Sequence, residues 1–213
     1  MKLEIKQLEN QLMNSNCFII VDNGTKSCVI IDPASEKAEK EIEYIHQNSL
    51  RLDYIILTHT HADHCWGVNV LKQVFHEANL VYHDDEFQKR EIMLFFRMWH
   101  EDENYSFDLN PADILLKDNQ IIDWCGHNIR FVWTPGHSEG SLCIDIEGQL
   151  FTGDTIMPFP PYFNGRGSDK EEWKKSIIMI ESLYGPDTMI YPGHGDMLTM
   201  GEWLANDDYT RCK

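Results

Sequence analysis

Short apolar runs that end at turn residues predict β-strands in the first third of the chain. Cys17–Asp22 and Cys28–Asp32 flank the turn Asp22-Asn23-Gly24, and an Asn-Gly pair favours the positive φ that a tight hairpin requires. The apolar run Tyr54–Thr58 predicts another short strand, which leads directly into a cluster of histidines. A hairpin and a separate strand are therefore expected before residue 60.

Amphipathic patterns predict three helices between the strands. Ser35 is placed to cap the first helix, and the second extends from about His64 to His76. Ser168 and Glu171 have the spacing of a capping box at the start of the third helix. The apolar positions that share one helix face are Ala38, Ile42 and Ile45 in the first helix, and Trp173, Ile177, Ile180 and Tyr184 in the third.

The rest of the chain is rich in short strand patterns. Tight turns are expected at Gly126 and Gly148. The predicted strands are Leu80–His83, Gln120–Cys125, Ile129–Thr134, Ser141–Glu147, Gln149–Gly153 and Met189–Tyr191. Between the first two of these, Asp84–Asn110 reads as irregular, and its segment Phe95–Trp99 is either a lid or an amphipathic helix packed in the core.

These elements predict an α+β fold that occupies residues 1–213 as a single domain. Two sheets packed face to face, with the helices outside, is one architecture that buries every apolar face. Periodicity alone does not select it.

Composition restricts the classes of partner. The formal net charge is −17 at pH 7, whereas nucleic acids and anionic membranes are bound through basic surfaces. The N-terminal residues lack the apolar core of a signal peptide, and none of the six cysteines forms a C-x-x-C pair. These features predict a cytoplasmic protein with reduced thiols and without nucleic-acid or membrane partners. They leave the oligomeric state open.

The strongest local pattern is the run from Thr58 to Gly67, which places His59, His61, Asp63 and His64 within six positions at the end of an apolar strand. In an extended backbone, alternate side chains point the same way, so His59 and His61 can bind one ion. Asp63 and His64 fall where a helix begins, which favours a second ion. The alternative is a solvent-exposed, histidine-rich loop.

Three later segments repeat one arrangement, in which a strand is followed by a glycine and a metal-competent side chain. They are Pro135-Gly136-His137, Thr152-Gly153-Asp154 and Pro192-Gly193-His194. Each segment is weak evidence by itself, because polar residues are common in turns. Their occurrence together with the histidine run indicates a metal site.

With these motifs, H-x-H-x-D-H followed by His, Asp and His, the chain resembles the metallo-β-lactamase superfamily from Cys17 to His194. The resemblance implies a four-layer αββα sandwich that binds two metal ions. It assigns one ion to His59, His61 and His137, and the second to Asp63, His64 and His194. It makes Asp154 the ligand that bridges the two ions.

Among the branches of this superfamily, the chain is most similar to the glyoxalase II-like hydroxyacylglutathione hydrolases, in which a Gly-Arg pair follows the Asp segment, as Gly165-Arg166 does here. Antibiotic-hydrolysing lactamases carry Cys or Ser where Asp154 stands. Glyoxalase II holds glutathione with basic residues of a C-terminal helical domain. Only Arg211 and Lys213 are basic after His194, so glutathione is not expected to be part of the substrate.

The expected reaction is hydrolysis of an ester-like bond of a small molecule, a thioester first, by a metal-bound hydroxide. Asp63 and Asp154 are the expected catalytic residues, since their carboxylates orient the attacking group. Arg166, Tyr162 and Phe163 are expected to contact the substrate. Cys65 is expected to pack rather than to react.

Several alternatives remain open. Zinc is the first expectation for the two divalent ions, but His and Asp ligands also accept iron or manganese. The same ligands would suit a lactonase, or a mononuclear iron dioxygenase acting on sulfur compounds. A non-catalytic binding module is the remaining alternative, although all seven ligand positions carry metal-competent side chains.

Overall fold

The structure is a computed structural model that describes residues 3–10, 12–84, 88–117, 119–163 and 167–206. The chain divides into two compact units, Met1–Leu115 and Leu116–Lys213. Among the described residues, no helix combines the length and the apolar character needed to cross a membrane.

A six-stranded sheet of order β1-β2-β3-β4-β5-β6 organises the first unit. Its strands are β1 (Glu4–Glu9), β2 (Asn16–Asp22), β3 (Ser27–Ile31), β4 (Arg51–Ile56), β5 (Asn79–His83) and β6 (Ile114–Leu116). The pairs β1–β2 and β2–β3 are antiparallel, whereas β3–β4 and β4–β5 are parallel. Parallel neighbours need crossover connections. These contain α1 (Glu39–Gln47) after β3, and α2 (Ala62–Cys65) and α3 (Val68–Val74) after β4.

The predicted hairpin is confirmed, but its turn has a different geometry. Gly24 N–H donates to Asp22 Oδ1 at 2.9 Å, and Thr25 Oγ1 donates to Asp22 Oδ2 at 2.6 Å. The positive φ in this turn is that of Lys26, at 56°, and not that of the Asn-Gly pair. The Asp22 carboxylate organises the loop, and this removes the need for a two-residue turn.

The expected caps of two helices are wrong. Helix α1 begins after Ala38, which makes no side-chain capping bond, because Ser35 Oγ donates to Asn10 Oδ1 instead. At the third predicted helix, the Asp169 side chain accepts from the N–H groups of Glu171 and Glu172. Ser168 donates to Phe163 O at 2.6 Å. Ser35 therefore does not cap α1 because its hydroxyl bonds a residue distant in sequence. Ser168 does not cap the third predicted helix because the adjacent Asp169 carboxylate takes that position.

The helix predicted over His64–His76 is divided into α2 and α3. Gly67 lies at the break, where its N–H donates to Pro33 O at 2.9 Å. A Cβ on Gly67 would lie 2.7 Å from Ser35 O. The close approach of the backbone after β3 therefore interrupts the helix and requires glycine.

The stretch that reads as irregular contains a regular helix, α4 (Gln88–Trp99). Ile92 and Phe96 are buried, whereas Met98 is 80% exposed. The segment Phe95–Trp99 is therefore an amphipathic helix that buries Phe96 and exposes Met98 and Trp99, and its role as a lid stays a prediction.

A second six-stranded sheet, of order β12-β11-β10-β9-β8-β7, organises the other unit. Its strands are β7 (Gln120–Trp124), β8 (His127–Trp133), β9 (Leu142–Ile146), β10 (Gln149–Gly153), β11 (Met189–Pro192) and β12 (Leu198–Thr199). The turns at Gly126 and Gly148 are confirmed. The residue before each glycine also has a positive φ, which is typical of a type I′ hairpin.

Two helices complete this unit, α5 (Lys170–Leu183) and α6 (Met200–Ala205). The predicted apolar face of α5 is confirmed, since Trp173, Ile177 and Ile180 are all at most 1% exposed. Tyr184 ends the helix and packs against the same core cluster. Strand β10 pairs with β11 in parallel, and α5 is the crossover between them.

Candidate metal centre

In the first unit, the predicted ligand run begins in the loop after β4 and continues through α2. His59, Asp63 and His64 are buried, and His61 is half-buried. His59 Nε2 lies 2.9 Å from His61 Nδ1, as expected for alternate side chains of an extended segment. The ligand atoms of His64 lie within 4.8 Å of those of His59 and of Asp63. The structure therefore brings these four residues together.

A buried carboxylate selects the tautomer of His64. Asp32 Oδ2 lies 3.0 Å from His64 Nδ1, and the side chain of Asp32 is 3% exposed. An ionised Asp32 only accepts hydrogen bonds, so Nδ1 of His64 carries the proton. His64 Nε2, 3.8 Å from Asp63 Oδ2, then presents its lone pair.

The same carboxylate selects the tautomer of His59 through Thr58. Thr58 Oγ1 donates its single proton to Asp32 Oδ2 at 2.6 Å, and Thr58 N–H donates to Asp32 Oδ1 at 2.8 Å. At 3.1 Å from Thr58 Oγ1, His59 Nδ1 must therefore be a donor. The lone pair of His59 is thus on Nε2, the atom that faces His61.

Asp32 is a functional residue that the sequence reasoning missed. The available signal was a carboxylate at the end of the apolar run Cys28–Asp32, directly before Pro33. Asp32 has a φ of 54°, a conformation that Asp tolerates better than most residues. Its partners are 26 and 32 positions away in sequence, so local periodicity could not have identified them.

In the second unit, the other three predicted ligands lie at one edge of the sheet. His137 follows β8, Asp154 follows β10 and His194 follows β11. Strands β8 and β10 are both antiparallel to β9, and β10 is parallel to β11, so the carboxyl ends of all three strands meet at one edge. Asp154 Oδ2 lies 3.5 Å from His137 Nε2 and 3.7 Å from His194 Nε2.

The orientation of His137 is set by the loop after β10. His137 Nδ1 lies 3.1 Å from the carbonyl oxygen of Tyr162, which can only accept a hydrogen bond. The proton is therefore on Nδ1 and the lone pair on Nε2, facing Asp154. Tyr162, one of the predicted substrate residues, thus also orients His137 through its backbone carbonyl.

Two glycines beside the ligands permit close packing. Gly136, before His137, has a φ of 138°, and a Cβ there would lie 2.3 Å from the backbone of Trp173. Gly195, after His194, has a φ of 80°, and a Cβ would lie 2.5 Å from Pro158 Cγ. Helix α5 therefore packs closely on the segment of His137, and the loop after Asp154 packs closely on the segment of His194.

The predicted substrate residues differ in exposure. The ring of Tyr162 is 67% exposed and that of nearby Phe159 is 44% exposed. Phe163 instead packs edge-on against Trp173, with ring centroids 5.4 Å apart. Arg166, with Gly165, lies outside the described residues.

Cys65, beside the ligands, has the environment of a packing residue. Burial, followed by the charges of Asp63 and Asp32, raises the pKa of its thiol well above the ordinary value. Its Sγ contacts Thr60 O at 3.8 Å. Because the thiolate is the nucleophilic form, the surroundings suppress reactivity.

The donor set suits divalent cations of the zinc type. In each unit, imidazole nitrogens with assigned lone pairs and a carboxylate lie close together, and imidazole and carboxylate are ligands that zinc and iron accept. Asp32 and the Tyr162 carbonyl accept hydrogen bonds from the opposite nitrogens of His64 and His137, as is usual for metal-binding histidines. Strand-end histidines and aspartates on two mixed sheets define the class of metal-dependent hydrolases.

The chain belongs to the metallo-β-lactamase superfamily, since the sequence profile described as "Metallo-beta-lactamase superfamily" matches residues 11–194. It is 32% identical over 194 residues to the probable polyketide biosynthesis zinc-dependent hydrolase BaeB of Bacillus velezensis, covering 90% of this chain and 78% of the relative. It is 28% identical over 207 residues to the hydroxyacylglutathione hydrolase of Francisella philomiragia, covering 95% and 68%. The atrochrysone carboxyl ACP thioesterase of Aspergillus fumigatus is 28% identical over 200 residues, with coverage of 88% and 53%.

Solved structures show the same fold. The BLEG-1 B3 metallo-beta-lactamase matches with a TM-score of 0.79 at 24% identity, covering 96% of this chain and 98% of that one. The di-iron-bound form of TTHA1623 matches with a TM-score of 0.77 at 23% identity, covering 94% and 97%. The predicted α+β metallo-β-lactamase fold class is therefore confirmed, and the protein is a metal-dependent hydrolase of this superfamily.

Proposed function

We propose that the protein hydrolyses a small-molecule thioester with two divalent metal ions, zinc first, and that residues 1–213 act as one catalytic domain. His59, His61 and His137 would hold one ion, Asp63, His64 and His194 would hold the other, and Asp154 would serve both. The observation that carries the proposal is the position of Asp154, whose single Oδ2 lies 3.5 Å from His137 Nε2 and 3.7 Å from His194 Nε2. One carboxylate shared by two imidazoles assigned to different ions suits a bridging ligand.

The residues have distinct tasks in this reaction. When bound, the two cations acidify a water molecule and polarise the substrate carbonyl. Asp154 and Asp63 accept hydrogen bonds from the attacking water, orient it and offset the positive charge. Asp32 keeps His64 in the Nδ1–H form, and the Tyr162 carbonyl does the same for His137. No Ser or Cys nucleophile is required.

The names of the relatives support a thioester. Hydroxyacylglutathione hydrolase and ACP thioesterase both name thioester chemistry, and BaeB is named a zinc-dependent hydrolase. The thiol portion is the finer question. We favour an acyl group carried on a pantetheine-type thiol over one carried on glutathione. The reason is that two of the three relatives are named for polyketide or carrier-protein chemistry.

The acyl group is proposed to contact the loop after Asp154. Phe159 and Tyr162 present exposed rings on a loop that is hydrogen-bonded to His137 and packed on Gly195. Phe163, anchored on Trp173, holds this loop and can line its inner side. Arg166 is proposed to pair with a substrate carboxylate. An apolar or aromatic acyl group suits these rings.

A panel of acylated thiols tests the proposal. Acyl-pantetheine, S-acylglutathione and lactones are assayed with the zinc-loaded chain and with the Asp154→Ala variant, and Asp145→Ala serves as a carboxylate control because Asp145 bonds Gly148 N–H and Tyr184 away from the ligands. We expect thioester hydrolysis that falls at least ~100-fold in Asp154→Ala and persists in the control. Full activity in Asp154→Ala would remove the mechanism, and turnover of lactones alone would establish the lactonase.

One observation favours a second candidate. The solved structure of TTHA1623 contains a di-iron site, and the His and Asp ligands of this chain also accept iron. An iron-dependent dioxygenase would consume oxygen with a thiol or persulfide substrate. Oxygen uptake by iron-loaded protein, without hydrolysis of any thioester, would select it.

A further inference from the structure

A buried polar chain leads from the N-terminal segment to the backbone of a proposed metal ligand. Asn10 is 1% exposed and Ser15 is fully buried. The Asn10 side-chain amide donates to Ser15 Oγ at 2.9 Å. Ser15 Oγ in turn donates to the carbonyl oxygen of Asp63, since its alternative acceptor, Leu12 O, is more distant at 3.4 Å. The turn that carries Asp63 and His64 is therefore held through its backbone.

Asn10 also holds the segment that carries Asp32. Its amide nitrogen donates to Asp32 O at 3.2 Å, and its Oδ1 accepts from Ala34 N–H at 3.1 Å and from Ser35 Oγ at 3.2 Å. Both donors and both acceptor sites of the amide are thus used, which fixes its orientation. One buried side chain therefore contacts the segment that orients His64 and, through Ser15, the turn that contains His64.

The connections converge on one ligand pair. Asp63 is held at its carbonyl by Ser15, and the His64 ring is held at Nδ1 by Asp32. Within the part of the chain that the structure describes, neither Asn10 nor Ser15 forms a side-chain hydrogen bond to His59 or His61. The position of Asn10 and Ser15 in the fold is itself fixed by a backbone bond from Asn10 N to Ser15 O at 2.8 Å.

We propose that Asn10 and Ser15 are positioning residues for the second metal ion, the one assigned to Asp63 and His64. This inference rests on the proposed two-metal function. Ser15 holds the Asp63–His64 turn directly, whereas the pair reaches His59 only indirectly, through Asp32 and Thr58. The second ion therefore depends on the pair more than the ion at His59 and His61 does. Loss of a supporting hydrogen bond around a metal ligand commonly weakens metal binding 10- to 100-fold.

A zinc titration with a matched pair of serine variants tests the inference. The metal-free chain is titrated with zinc against a chromophoric chelator, as wild type, as Ser15→Ala and as Ser27→Ala. Ser27 is also fully buried in this unit, but its hydroxyl accepts a hydrogen bond from Arg51 Nη2 of β4 at 2.7 Å instead of bonding to the ligand turn. We expect Ser15→Ala to weaken the second zinc about 10-fold and to leave the first unchanged, and Ser27→Ala to bind both zinc ions as wild type does.

Asn10→Asp provides a second variant with nearly the same shape. It keeps the oxygen that accepts from Ala34 and Ser35 but lacks the amide donors to Ser15 and Asp32. A larger loss of affinity for the second zinc than for the first is expected, because Asp32 bonds His64 directly and His59 only through Thr58. Thermal unfolding of the metal-free variants shows that each is folded.

The outcomes separate the inference from the function on which it rests. A wild-type chain without a second zinc overturns the proposed function, and the positioning role with it. A wild type that binds two zinc ions, with Ser15→Ala and Asn10→Asp indistinguishable from Ser27→Ala or weakened equally at both ions, overturns the positioning role alone. Loss confined to the second ion in Ser15→Ala, and larger at the second ion than at the first in Asn10→Asp, supports it.

Discussion

At the scale of single residues, buried neighbours decide which imidazole nitrogen is available to a metal. Asp32 is the acceptor for His64 Nδ1 and, through Thr58, determines the tautomer of His59. The metal-competent residues could be predicted because their spacing is local. Asp32 could not, because its role depends on contacts between residues far apart in sequence.

Replacement of Asp32 tests this role. In Asp32→Asn, one acceptor oxygen must serve donors from Thr58 and His64 that two carboxylate oxygens serve now. We expect zinc affinity to fall roughly 10- to 100-fold, measured by chelator competition. Asp113→Asn is the control, since Asp113 also bonds a backbone N–H and a side chain, those of Leu80 and Lys72. An equal loss of affinity in both variants would contradict a specific role.

A second residue-scale prediction concerns the buried carboxyl of Glu41. Burial raises its pKa, and the hydrogen bond from its own backbone N–H and the charge of Lys40 offset this only in part. A raised pKa means that the folded chain retains the proton longer than the unfolded chain. Glu41 therefore lowers the free energy of unfolding as pH rises from the unfolded value, ~4.3, through the folded pKa.

The Glu41→Gln variant of the metal-free chain reveals this dependence. Relative to wild type, the variant should gain unfolding free energy between pH 4 and pH 7 in urea titrations. Any change in unfolding free energy that the new amide causes independently of pH is the same at both pH values, so it cancels when the two are compared. A stability difference that does not change with pH, or that decreases, would rule out the raised pKa as a source of the effect.

At the scale of elements, most of the described strands were predicted because apolar runs and glycine turns are local signals, but β1, β6 and β12 were not predicted. Element ends were predicted less well. Ser35 bonds to Asn10 instead of capping α1, and Gly67 interrupts the second predicted helix because the backbone of Ser35 approaches it. Helix α4 was not predicted as regular structure because apolar residues lie on both its buried and its exposed face, for example Phe96 and Met98. Each difference arises from a tertiary contact that overrides a local preference.

The packing of α5 against the loop before His137 yields an element-scale prediction. Gly136→Ala would place a Cβ 2.3 Å from the Trp173 backbone at a φ of 138°. Gly126→Ala is the matched control, because its φ is also positive but no atom lies within 4 Å of the added Cβ. We expect the control to lose about 1–2 kcal/mol of unfolding free energy and Gly136→Ala to lose more, about 3–5 kcal/mol. Equal losses of unfolding free energy in the two variants, measured by denaturant titration, would mean that α5 can shift away from residue 136 without an energetic cost.

At the scale of the whole molecule, the fold class was predicted from the resemblance and not from periodicity. The amphipathic patterns allow several arrangements of sheets and helices. The spacing of the five ligand histidines and two aspartates, in contrast, is specific to one superfamily, and the profile match over residues 11–194 confirms it. The absence of nucleic-acid and membrane partners, inferred from a net charge of −17, stays a prediction.

Elemental analysis of freshly purified chain, prepared without chelator, addresses the two-metal proposal directly. The seven ligands predict two divalent ions per chain, zinc first, and release of both on acidification, because imidazole and carboxylate must be deprotonated to bind. The Asp154→Ala variant should contain fewer metal ions per chain than the wild type. A chain that contains no metal, or that retains its full metal content at pH 4, would contradict a binuclear centre of histidines and aspartates.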